Sequence, residues 1–139
     1  MAEPDPVEIA TKALLHRDRS RREVEERLER AGVDAADRVD ALDRLERVGY
    51  IDDKRFAGAR AGTLANRGYG DEWIRHDLAR HGVPDEDAAE AVAALEPEAQ
   101  RAAALVERLG RTAKTGAQLA RKGFGADALE AALRLDVAD

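Results

Sequence analysis

The chain contains no cysteine, which excludes disulfides and every zinc or iron–sulfur site built on thiolates. Aromatic residues make up only 4% of its 139 residues, with one Trp among them, so Ala, Leu and Val must furnish most of any core. Such a core is shallow and suits thin helix pairs. β-Branched residues are few and no alternating run reaches strand length, so no sheet is expected. No apolar run approaches the ~20 residues that span a membrane. The start MAEPDPVEIA also lacks the basic and apolar regions of a signal peptide, so a cytoplasmic protein is expected. The histidines His16, His76 and His81 offer no HExxH spacing, and Gly68-Tyr69-Gly70 follows no strand and precedes no GK[ST], so it reads as a turn. Carboxylate pairs such as Asp52-Asp53 fit helix caps better than an acid–base couple. These absences point to a protein without catalytic residues, metal or cofactor.

What is present is an internal repeat. In the stretch from Tyr50 to Val83, residues Ile74, Leu78 and Gly82 stand four apart; the frame returns as Val24, Leu28, Gly32 and, weaker, as Thr115, Leu119, Gly123. Ten residues beyond each glycine lies an apolar anchor: Leu42, Val92 and Leu133. One helical unit is written three times, giving an all-α chain of repeats over 1–50, 51–96 and 97–139 in one continuous domain.

Helix signals fill the frame. Asp5 and Pro6 open the first helix, with Glu8 placed to close a capping box, and Ser20-x-x-Glu23 opens the second, whose stripe is Val24, Leu28 and Ala31. Gly32 stops it, Asp34 caps a third helix with Val39, Leu42, Leu45 and Val48 inward, and Gly49 ends that one. Asp52 or Asp53 caps a fourth helix lined by Phe56, Ala57, Ala61 and Leu64. Gly68 and Gly70 flank the turn into the fifth, and Gly82 ends it. Pro84 and Pro97 stand just inside the sixth and seventh helices, with Ala88, Ala89, Val92 and Leu95, then Ala99, Ala102, Ala103, Val106 and Leu109, as inward positions. The eighth is the poorest, because Gly116 in its interior costs about 1 kcal/mol. Phe124, Ala128, Leu129, Ala132, Leu133 and Leu135 close the last unit, and the tail from Asp136 is expected to be loose.

The net charge of -6 argues against a general nucleic-acid binder. Its distribution is uneven: residues 54–82 sum to +3 between segments of -5 and -6, and residues 101–139 sum to +2. The central unit thus carries a positive band. Arg60 and Arg67 on the fourth helix, with Arg75 and Arg80 on the fifth, are placed to border one groove and suit phosphate or carboxylate forks. Arg80 has Glu72 and Asp77 within helical reach as ion-pair partners. Arg21 and Arg22 belong to a second basic cluster, and Trp73 is expected to pack against the next unit or anchor a partner.

The order RDRSRREVEERLERAGVD, RLERVGYIDDKRFA, NRGYGDEWIRHDLARHGV resembles the RecX family of bacterial recombination regulators over roughly residues 14–133. Gly49-Tyr50-Ile51-Asp52-Asp53 with Phe56, and Arg67-Gly68-Tyr69-Gly70 with Ile74, Arg75, Leu78 and Gly82, are the most specific pieces. The resemblance implies three tandem three-helix units in an elongated, curved molecule. It also implies a non-enzymatic, monomeric modulator that binds the RecA recombinase filament on single-stranded DNA and inhibits its ATP hydrolysis and strand exchange, in DNA repair, recombination and the SOS response. On the matching positions Arg60, Arg67, Arg75 and Arg80 become the expected contacts, with Arg21 and Arg22 secondary. The chain departs from the family in its acidic balance and in the short stretch RTAKTGAQ, which leaves at most weak direct contact with DNA. A helix-turn-helix DNA-binding protein is the alternative. It is disfavoured because VDAADRVDAL, VPDEDAAEAV and FGADALEAAL, where a recognition helix would stand, are acidic or apolar.

Overall fold

A computed structural model describes residues 5–134. Among them the chain forms nine helices and no strand: α1 (Pro6–His16), α2 (Arg21–Arg30), α3 (Ala35–Arg47), α4 (Asp53–Asn66), α5 (Asp71–Arg80), α6 (Asp85–Ala93), α7 (Glu98–Leu109), α8 (Ala113–Arg121) and α9 (Ala126–Leu133). None of these is long and apolar enough to cross a membrane. The helices pack in threes, and every pair in substantial contact lies within one triplet. Three separate apolar cores result, centred on Val24, Leu28 and Leu42, on Ile74, Leu78 and Val92, and on Val106, Leu119 and Leu129. Of the frame read from the sequence, Val24, Leu28, Ile74, Leu78 and Leu119 stand in these cores, and Thr115 is buried as a polar residue.

Local chemistry sets the ends. Ser20 and Glu23 form the reciprocal capping box of α2, Asp34 accepts from Asp37 N at the start of α3, and Asp52 rather than Asp53 caps α4. Gly32, Gly49, Gly68, Gly82, Gly110 and Gly123 all take positive φ, which L side chains rarely adopt. Glu8 does not close a box on α1; it pairs with Lys12 at 3.2 Å, while Asp5 accepts from Val7 N and Glu8 N. Pro84 and Pro97 sit one position earlier than expected, as N-caps.

The buried stripes are narrower than periodicity suggests. Ala31 is exposed and Val33, beyond Gly32, fills the core instead. Val39 and Val48 are 48% and 66% exposed, and Ala41 is buried with Leu42 and Leu45. Ala89, Ala99, Ala103 and Leu109 likewise face solvent, while Ala91 turns inward and Leu105 packs partly buried against its core. A core enclosed by only three short helices offers each of them one inward line, and residues flanking it are left in water. In α8 the expected weakness has a second side: a Cβ at Gly116 would stand 2.8 Å from Leu133 Cδ1, so the glycine admits α9. Leu135 and the tail from Asp136 lie outside the described residues.

Candidate functional site

The units are joined through their middle helices. A helix leaves unpaired N–H groups at its start and unpaired carbonyls at its end, and here one end satisfies the other. The Ser20 hydroxyl at the start of α2 donates to the carbonyl of His81 at the end of α5. Gly70 N and Glu72 N, at the start of α5, donate to the carbonyls of Lys122 (2.8 Å) and Gly123 (3.3 Å) at the end of α8. A carboxylate from the next unit's first helix completes each joint: Asp53 accepts from Arg21 N at 2.8 Å, and Glu98 from Asp71 N at 2.6 Å. Opposed partial charges at the helix ends favour the same order. Contact is so close that a Cβ at Gly70 would collide with backbone of Gly123 and Phe124.

An arginine clasps each joint. Arg55 holds Asp18 through two bonds (3.1 and 2.9 Å) and the Gly49 carbonyl at 2.9 Å. Arg101, buried, donates to the carbonyls of Glu96 (2.8 Å) and Tyr69 (3.2 Å) and to the Asp71 carboxylate. These clasps spend cations on holding the array together. Arg101 escapes sequence reasoning because it stands at an apolar position of its helix; its only hint is the place it shares with Phe56 in the preceding unit.

The six candidate arginines divide by the same accounting. Arg60 reaches from α4 to α5 and grips Asp77 through two bonds of 2.8 and 3.0 Å. The Asp77 side chain is 3% exposed. Burial by itself pushes that carboxyl up, but the Arg60 hydrogen bonds and the charges of Arg60, His81 and Arg80 outweigh it and hold it below its usual range. Arg80 shares Asp77 at 3.3 Å but is 63% exposed. Arg21 bonds Asp43 at 2.8 Å and Glu46 at 2.9 Å across unit one; burial lowers its pKa and these two bonds more than restore it. Arg22 lays its stem on Gly82 and meets Glu26 at 3.4 Å. Arg75 has only Glu72, at 3.8 Å, and Arg67 meets no carboxylate among the described residues. Thus Arg60 and Arg80 converge on one internal acid, while Arg67 and Arg75 remain exposed.

Comparison with known proteins places this arrangement. The model of the second three-helix domain of RecX matches residues 52–92, the span of α4 to α6. The regulatory protein RecX of Xanthomonas axonopodis pv. citri (strain 306) is 35% identical over 147 residues, covering 99% of this chain and 91% of that one. This chain belongs to the RecX family. The RecX of Stenotrophomonas maltophilia (strain R551-3) is 34% identical, with 99% of this chain and 90% of that one covered. The crystal structure of RecX from Lactobacillus salivarius superposes with a TM-score of 0.82 over 92% of each chain, at 21% identity, and shares the fold. Membership makes this a regulatory protein with tandem three-helix units.

Among the described residues no group of His, Asp and Glu is arranged to hold a metal ion. One aromatic pair, Tyr69 and Trp73, stands at the second joint. Trp73 is 40% exposed and its Cβ side abuts Gly123 of the next unit, so it serves the junction with one edge and solvent with the other.

Proposed function

We propose that this RecX-family protein binds the RecA recombinase filament on single-stranded DNA and restrains its ATP hydrolysis and strand exchange, acting as a monomer in the cytoplasm. The observation that carries the reading is family membership over almost the whole chain, with all three units included. The geometry supports it: three small cores joined end to end present a long surface relative to their volume, and each unit adds contacts that its neighbours reinforce. Arg67, Arg75 and Arg80 are the contacts we assign, with Arg22 secondary. Arg60 and Arg21 act by holding the fold, since their guanidiniums are already engaged. The helix-turn-helix alternative gains nothing, because the exposed face of α6 offers Glu86, Ala89 and Glu90 to any groove.

The test is DNA-dependent ATP hydrolysis by the cognate recombinase as the protein is added. Hydrolysis is expected to fall, and Arg67→Ala with Arg75→Ala to blunt the fall without loss of helicity. Hydrolysis untouched at saturating protein removes the reading.

A further inference from the structure

The joint between the second and third units carries a cluster of which the recombinase reading uses Arg67 alone. Tyr69 and Trp73 stack with ring centroids 4.8 Å apart and planes at 19°. The Lys122 ammonium lies 4.5 Å from the Tyr69 centroid and donates to the Arg67 carbonyl at 2.9 Å. Arg67, and Arg121 next to Lys122 in the chain, are exposed, neither with a carboxylate partner among the described residues. The acids nearby are largely spent: Asp71 is held by Arg101, and Glu98 accepts from Asp71 N and Gly125 N. Glu72 alone stays free enough to oppose an anion, with Arg75 3.8 Å away. Residues 108–126 contain five Lys and Arg and no acid, so the chain leading into the cluster is uniformly positive.

A partly exposed indole backed by a second ring, with Lys122 and Arg67 at the same joint, is the chemistry that receives an unstacked base and its flanking phosphates. We propose that single-stranded nucleic acid binds directly at this joint, one base stacking on Trp73 and phosphates meeting Arg67, Lys122 and Arg121. The stacked base explains why an acidic protein can hold a strand: the face of a base is read without regard to net charge, and local positive charge supplies the rest. Duplex is a poor ligand because its bases are already stacked. This contact shares Arg67 with the proposed recombinase contact, and a filament-bound strand would supply its ligand; it is measured without recombinase, so failure of strand binding and failure of the effect on hydrolysis are read apart.

Trp73 is the only Trp, so intrinsic fluorescence reports on the site alone. Oligo-dT added at low salt is expected to quench it, while duplex of equal length quenches far less. Trp73→Leu is expected to weaken binding of a fluorescein-labelled oligo-dT by roughly tenfold, toward the low end for loss of one stacked base. Arg67→Ala with Arg121→Ala should lower the slope of log affinity against log salt by about 1.4, for two phosphate contacts on a single strand. Both arginines are exposed and unpaired, so that variant keeps its fold if the first does not. No quenching, or anisotropy binding indifferent to both variants, overturns the proposal. Quenching by the recombinase alone and not by oligo-dT overturns it too, making Trp73 a protein anchor.

Discussion

Replacing Asp77 by Ala strips the carboxylate shared by two arginines and a histidine. Asp77 is 3% exposed at its side chain and takes two hydrogen bonds from Arg60, one from Arg80 at 3.3 Å, and an approach of 3.4 Å from His81 Nδ1. Removing one side of a buried ion pair costs about 3–5 kcal/mol. Arg60 is 33% exposed at its side chain and can turn toward water, which brings the loss to about 2–3 kcal/mol. For a chain of this size that is a fall in Tm of about 10 °C, read by far-UV circular dichroism. The pH dependence gives a second handle. The folded carboxyl titrates below the unfolded value near 3.8, so its stabilisation is complete above that pH and is lost as pH falls through the folded value. The gap between wild type and Asp77→Ala should therefore be full at pH 7 and shrink below pH 3.8. A gap under about 0.5 kcal/mol at neutral pH, or one that stays constant into acid, refutes the argument.

Three other substitutions test the junctions and the glycines. Gly70→Ala has an ordinary backbone conformation (φ -87) but drives a methyl into the Gly123 backbone, so about 2–3 kcal/mol should be lost, with hydrogen exchange rising first in unit three; unchanged protection there would show the joint to be looser than described. Gly58→Ala, mid-helix in α4 with nothing within 4 Å of the new methyl, should stabilise by about 0.5–1 kcal/mol in denaturant titration, and a loss would mean an unseen contact. Asp53→Asn should cost under about 0.5 kcal/mol at pH 7 or even stabilise, because burial first, then Glu46 and Asp87, raise the folded pKa above 3.8; that penalty on the charged form sets in as pH rises through the unfolded value, and Asn keeps an acceptor for Arg21 N.

The repeat, the helices and the central core residues were legible because they follow from spacing within one helix. Val24, Leu28, Ile74, Leu78 and Leu119 all sit at most 1% exposed. The Arg80–Asp77 pair was legible for the same reason, being three residues apart. What spacing cannot give is the partner on another helix. Nothing local distinguishes Arg60, which spans two helices to Asp77, from Arg67, which spans none. Arg21 looked like a free basic residue until α3 brought Asp43 and Glu46 beside it. Arg101 was invisible for the converse reason, since a buried arginine is explained only by three acceptors that the fold collects from Tyr69, Asp71 and Glu96.

On the proposed reading, an acidic chain has to address a polyanionic filament. Formal charge counts every carboxylate, yet those of the central unit are not equally available: Asp77 is buried under arginine and Asp71 is clasped by Arg101, leaving Glu72 as the exposed acid between residues 54 and 82. Arg67, Arg121 and Lys122, with no carboxylate partner among the described residues, belong to the second joint and the end of α8, whereas α6 carries Asp85, Glu86 and Asp87 and no basic residue of its own. Screening confines such a field to roughly 8–10 Å at physiological salt, shorter than a helix of ten residues. A partner therefore meets whichever face it touches and not the sum of -6.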